Sequence, residues 1–79
     1  MTSKERLEVR MSILRFFTSN PYTMDTAVGI SSKVGRPVRV VQIELDRLVQ
    51  IGILRRRGEG EEAIYQYVKP KVAKESRNA

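Results

Sequence analysis

Apolar positions recur along this chain in two rhythms, one helical and one alternating. From Ser3 to Thr18, "SKERLEVRMSILRFFT" places Leu7, Met11, Leu14 and Phe17 at i, i+4, i+7 and i+10, the spacing of one helix face. Val9, Ile13 and Phe16 widen the apolar arc past a single stripe, and Lys4, Glu5, Glu8, Ser12 and Arg15 mark the wet side. Asn20 and Pro21 end the run, since proline lacks the N–H that a helix ladder needs. So broad an arc implies a helix at the centre of the core or one covered in part by a second chain. The second case predicts a homodimer through helix 3–18, with Val9, Ile13 and Phe16 at the contact.

The next segment, "YTMDTAVGISSKVG", opens with Thr23, Asp25 and Thr26, which can cap a helix, and closes on Gly35, suited to the left-handed position after one. A short helix is predicted from Thr26 to Val34, with Ala27, Ile30, Ser31 and Val34 inward. Gly29 works against it by about 1 kcal/mol relative to alanine. The strongest period follows in "RPVRVVQIELDRLVQIG", where Val38, Val41, Leu45 and Leu48 lie between Pro37, whose fixed φ suits a first turn, and Gly52. Opposite that stripe fall Arg39, Ile43, Asp46, Arg47 and Gln50, with Val40 and Gln42 on the flanks. Then "ILRRR" and "EAIYQYV" surround Gly58 and Gly60 with β-branched and aromatic residues, a hairpin pattern. The predicted order is helix, helix, helix, hairpin, an α+β but mainly α domain over residues 1–68 with Leu14, Leu45 and Leu48 in its core.

Seventy-nine residues hold one small core. No cysteine is present to staple it, and neither a signal-peptide pattern nor an apolar run of membrane-spanning length occurs, so a soluble, cytoplasmic protein is expected. The net charge of +6 invites a polyanionic partner. Half of that excess lies in residues 63–79, and residues 69–79 are expected to form a basic, flexible tail. Without histidine or cysteine the commonest general base and the thiol nucleophile are missing, and the acidic residues scatter over predicted surface positions. "GEG" lacks the lysine and the following helix of a phosphate-cradling loop. An enzyme is not expected, and no cofactor or metal-ligand set is implied.

The stretch "ISSKVGRPVRVVQIELDRLVQIGIL" resembles the helix-turn-helix and the link to the wing in winged-helix DNA-binding domains of transcription regulators. Gly35 fits the turn, Ser31 stands where a small residue lets two helices pack closely, and Leu48, Gly52 and Ile53 fit the ending that leads into a β-hairpin wing. The resemblance implies a winged helix with double-stranded DNA as partner, helix 37–51 in the major groove and the base of a 53–68 wing near phosphates. Arg39 would then face guanine or a phosphate, Gln42 adenine, Arg36 a phosphate and Ile43 a thymine methyl. Ser32, Val40, Arg47, Arg56 and Arg57 complete the candidate DNA-binding set. A homodimer would supply the twofold symmetry that paired half-sites require.

The wing itself divides. Strand alternation sends Arg55 and Arg57 to one face and Arg56 to the other, while Glu59, Glu61 and Glu62 cluster at the tip. The strand base can therefore approach phosphate, and the acidic tip is expected to stay away from it. An outward Ile43 with Val40 keeps a different class of function open: a winged-helix module that contacts protein within a larger assembly and binds no DNA.

Overall fold

Thr2 starts the first helix with a reciprocal capping box, its hydroxyl accepting from the Glu5 backbone N–H at 3.1 Å while its own N–H donates to the Glu5 carboxylate at 2.9 Å. The hydrogen bond from the Thr2 backbone holds the Glu5 carboxyl below its ordinary pKa. The structure, a computed structural model, describes residues 2–68. In chain order the elements are α1 (Ser3–Ser19), β1 (Met24–Thr26), α2 (Ala27–Val34), α3 (Val38–Gln50), β2 (Leu54–Arg57) and β3 (Ile64–Tyr67), with a 3-10 turn over Gly60–Glu62. The expected tail, 69–79, lies outside the described residues.

On α1 the buried stripe is Val9, Ile13 and Phe17, and Arg6 and Arg10 lie half-buried beside it. The expected stripe shares only Phe17 with it. Leu7 is 55% exposed, Met11 is 44% exposed and Leu14 is half-buried rather than central. Val9 and Ile13 are consumed by the chain's own core, and Phe16 packs half-buried against it, edge-on to Phe17 with ring centroids 5.2 Å apart. The homodimer contact expected of Val9, Ile13 and Phe16 is therefore corrected: Val9 and Ile13 are buried, and Phe16 alone keeps some surface.

The second helix begins where its cap predicts. The Thr26 hydroxyl accepts from the Gly29 backbone N–H at 3.1 Å, and Gly35 ends the helix at φ 71°. Asp25 explains the glycine inside it. Its carboxylate accepts from the Thr26 N–H at 2.7 Å and from the Lys33 ammonium at 2.6 Å, and a Cβ at position 29 would land on that carboxylate. The Lys33 hydrogen bond, more than any other contact, holds the Asp25 pKa below its ordinary value.

The third helix buries Val41, Leu45 and Leu48 as its period requires, leaves Val38 exposed, and buries one charged side chain, Glu44. Gly52 follows at φ 85°, and the chain turns into the hairpin. The sheet has three antiparallel strands in the order β1-β3-β2, one strand more than the sequence predicts. Met24, Asp25 and Thr26 pair with Gln66, Tyr65 and Ile64, and Leu54 to Arg57 pair with Tyr67 to Ile64. Leu54 and Tyr65 face the helices and close the core with Ala63. The result, among the described residues, is an α+β, winged-helix-like fold of three helices with the hairpin after them. Among the described residues no helix is long and apolar enough to cross a membrane.

Two outcomes follow from this packing. Leu48 has no exposed surface, so Leu48→Ala should lower unfolding free energy by about 2–5 kcal/mol in urea titrations. Because folding lowers the Asp25 pKa, its contribution is complete above about pH 4 and fades as pH falls through the depressed folded value. Asp25→Asn should cost about 0.5–1 kcal/mol at neutral pH, given that Lys33 is largely exposed, and the gap to the parent should narrow in titrations below pH 4.

Candidate nucleic-acid interface

The face of α3 opposite its buried stripe is wet along its whole length, with Arg39, Ile43, Asp46, Arg47 and Gln50 exposed. Three hollows adjoin this face, and each mixes it with a different neighbour. At the N-terminal end an open groove of about 440 Å³ is lined by Ala27 and Val28 of α2, by Val38, Arg39, Gln42 and Ile43 of α3, and by Glu61 of the wing tip. Further along, a hollow of about 290 Å³ lies between Ile43, Asp46, Arg47, Val49, Gln50 and Arg56 at the wing base. On the other flank Arg47 meets Ser3, Arg6, Leu7 and Arg10 of α1 around a third, of about 270 Å³.

The sequence-predicted residues distribute unevenly over this surface. Arg39 and Arg47 are exposed and have no ion-pair or hydrogen-bond partner among the described residues. Ile43, 46% exposed, lines both the groove and the wing-side hollow. Val40 is half-buried against the core and lies apart from them. Ser32 is exposed near the end of α2, and Arg36 is half-buried in the turn, its backbone N–H donating to the Ser31 carbonyl at 3.2 Å.

Gln42 is occupied. Its amide nitrogen donates to the Tyr65 hydroxyl at 2.6 Å and to the Asp46 carboxylate at 3.1 Å, and Tyr65 donates to the same carboxylate oxygen at 3.2 Å. A two-point contact with adenine needs that amide's donor and its acceptor together, so it would have to break this network. Arg56 belongs to the same cluster, with Nη1 3.8 Å from the Asp46 carboxylate. Strand pairing separates it from its neighbours: Arg56 sits opposite Tyr65 on the inner face, whereas Arg55 and Arg57 sit opposite Gln66 and Ile64 on the outer one. The acidic tip is not remote. Glu61 borders the groove that contains Arg39 and Ile43.

Sequence reasoning missed the charge cluster between α1 and α3. Glu44, expected among the scattered surface acids, is fully buried, and each of its oxygens accepts from one arginine: Arg10 Nε at 2.9 Å and Arg6 Nε at 3.3 Å. A signal was present. Glu44 falls at i+3 from Val41 and four before Leu48, inside the apolar stripe, and Arg6 and Arg10 are spaced i, i+4 to meet it from one helix face. Neither a protein-family model nor a curated protein matches this chain.

Removal of either arginine should leave the buried carboxylate half-compensated. Arg10→Ala is expected to destabilise more than Arg6→Ala, following their distances, and the double variant should approach the roughly 3–5 kcal/mol that stranding a buried charge costs. A thermodynamic cycle with Glu44→Gln, measured by chemical denaturation, should show strong coupling of each arginine to position 44.

Proposed function

We propose that this chain is a cytoplasmic, DNA-binding transcription regulator of the winged-helix type, with α3 entering the major groove and the base of the wing near phosphates. One observation carries the reading: Arg39 and Arg47 stand exposed and unpartnered among the described residues on the face of α3 that the core does not use. A 13-residue helix is about 20 Å long and slim enough for the major groove. Arg39, near its N-terminus, is the base-reading residue, and Arg56, beside α3, and Arg57 serve phosphates. If two copies pair through α1 to match two half-sites, Leu7 and Met11 are the apolar residues left for that contact.

A second reading has its own observation. The groove at the N-terminal end of α3 exposes Val28, Val38 and Ile43 side by side over Ala27, and an apolar floor of this kind suits a protein partner better than a phosphate backbone.

Binding to random and selected duplexes across a salt series separates the two. On the DNA reading, Arg39→Ala should weaken the selected site by about 1–3 kcal/mol and relax base preference. Arg57→Ala should weaken all duplexes alike and reduce the salt slope by about one unit. Salt-insensitive, Arg39-independent duplex binding, with capture of a protein partner abolished by Ile43→Asp, would replace the regulator by the interaction module.

A further inference from the structure

The basin between α1 and α3 has a role that the reading helix does not explain. Arg6 and Arg10 each give Glu44 only their Nε–H, and no other partner of either guanidinium occurs among the described residues. Both side chains remain about a third exposed, although the carboxylate they hold is completely buried. The Nη donors therefore carry no hydrogen bond to a described residue. Arg47 stands one turn after Glu44 on α3, at i+3, and lines the same hollow with Ser3 and without a carboxylate partner of its own. Three arginines therefore line an open hollow of about 270 Å³ together with Ser3 and Leu7, and two of the three are held by the buried Glu44 carboxylate. That volume is several times the ~30 Å³ share of one water.

Arginines that line one hollow repel one another. Glu44 offsets that repulsion from below and immobilises two of the three by their Nε atoms, so little side-chain freedom remains to be lost when a ligand arrives. The planar forks left over match the oxygens of a phosphate group, which accepts paired N–H bonds as a carboxylate does. We propose that Arg6, Arg10 and Arg47, with the Ser3 hydroxyl, form a phosphate-binding site. Its phosphate group comes either from a nucleic-acid backbone, where this inference rests on the DNA reading, or from a small phosphorylated molecule. On the backbone, the site anchors the strand that passes the α1 side of α3, across the helix from the wing.

The test uses the whole chain and inorganic phosphate. Arginine Nε–Hε and backbone NMR signals are followed during titration at constant ionic strength, with chloride as the balancing anion. Saturable shifts at Ser3, Arg6, Arg10 and Arg47 are expected, and Arg47→Gln, which leaves the Glu44 pairs intact, should weaken them about fivefold. Arg15→Gln removes the same charge from α1 outside the basin and should leave the titration unchanged. Shifts that fail to saturate, that spread over all arginines, or that fall equally in Arg15→Gln overturn the site. Duplex DNA is the second arm. If duplex competes with phosphate and Arg47→Gln flattens the salt slope while Arg15→Gln does not, the group is a backbone phosphate. Saturable phosphate binding without any duplex binding supports the site with a small phosphorylated ligand and removes the DNA reading instead.

Discussion

A carboxylate with no access to water needs partners to offset its lost hydration, and in this domain two helices meet over one that has them. Glu44 sits in the apolar stripe of α3, and Arg6 and Arg10 reach it from α1. Those two arginines lie on the line of α1 that continues through Ile13 and Phe17, so meeting the carboxylate and burying the apolar residues require the same rotation of the helix. Turning α1 to bring Leu7 and Met11 inward would withdraw both arginines and strand the charge. A buried ion pair contributes little net stability against a well-packed apolar alternative, but it discriminates strongly between rotated packings of a helix with so wide an apolar arc. Here the packing in which both arginines reach Glu44 is also the one that buries Val9, Ile13 and Phe17.

The same choice shapes the outer surface. With α1 rotated this way, its arginines border the C-terminal half of α3, and the exposed cations of the two helices meet at Arg47. The N-terminal half has a different character, because Val28, Val38 and Ile43 leave an apolar floor there and the wing tip brings Glu61 beside Arg39. Between the halves, Tyr65 ties β3 to Gln42 and Asp46, and Asp46 in turn draws Arg56 inward. Three arginines thus share the hollow on the α1 side of α3, whereas Arg39 shares its groove with Glu61.

Features that depend on local spacing were legible in the chain. Val41, Leu45 and Leu48 bury as their period requires, Gly35 adopts the left-handed cap, and the glycine-rich hairpin forms between the predicted strands. Where two local patterns competed, the chain alone could not decide. α1 contains two overlapping stripes, and the difference between them lies in partners outside the helix: the apolar cluster that takes Val9, Ile13 and Phe17, and the Glu44 carboxylate that takes Arg6 and Arg10. β1 was hidden for a related reason: Met24–Thr26 is three residues long, and Asp25 and Thr26 read as caps, as Thr26 also is. Its strand character comes from pairing with Ile64–Gln66, some forty residues later, and no local signal encodes that. Of the candidate site, the exposure of Arg39, Ile43 and Arg47 followed from helix periodicity. The capture of Gln42 by Tyr65 did not, because it needs the register of the wing.

The register of β3 also governs the order in which the molecule can be completed during synthesis. β3 is the middle strand, and both its neighbours precede it in the chain. Until Ile64–Tyr67 has left the ribosome, β1 and β2 have no strand to pair with, and the helices lack the cover of Tyr65 and Ala63. A nascent chain that stops before residue 64 therefore presents two unpaired strand segments and an open apolar interior, the condition in which partly made domains associate wrongly or recruit chaperones. Among the described residues closure falls to the last strand, and helices formed earlier stay provisional until it arrives.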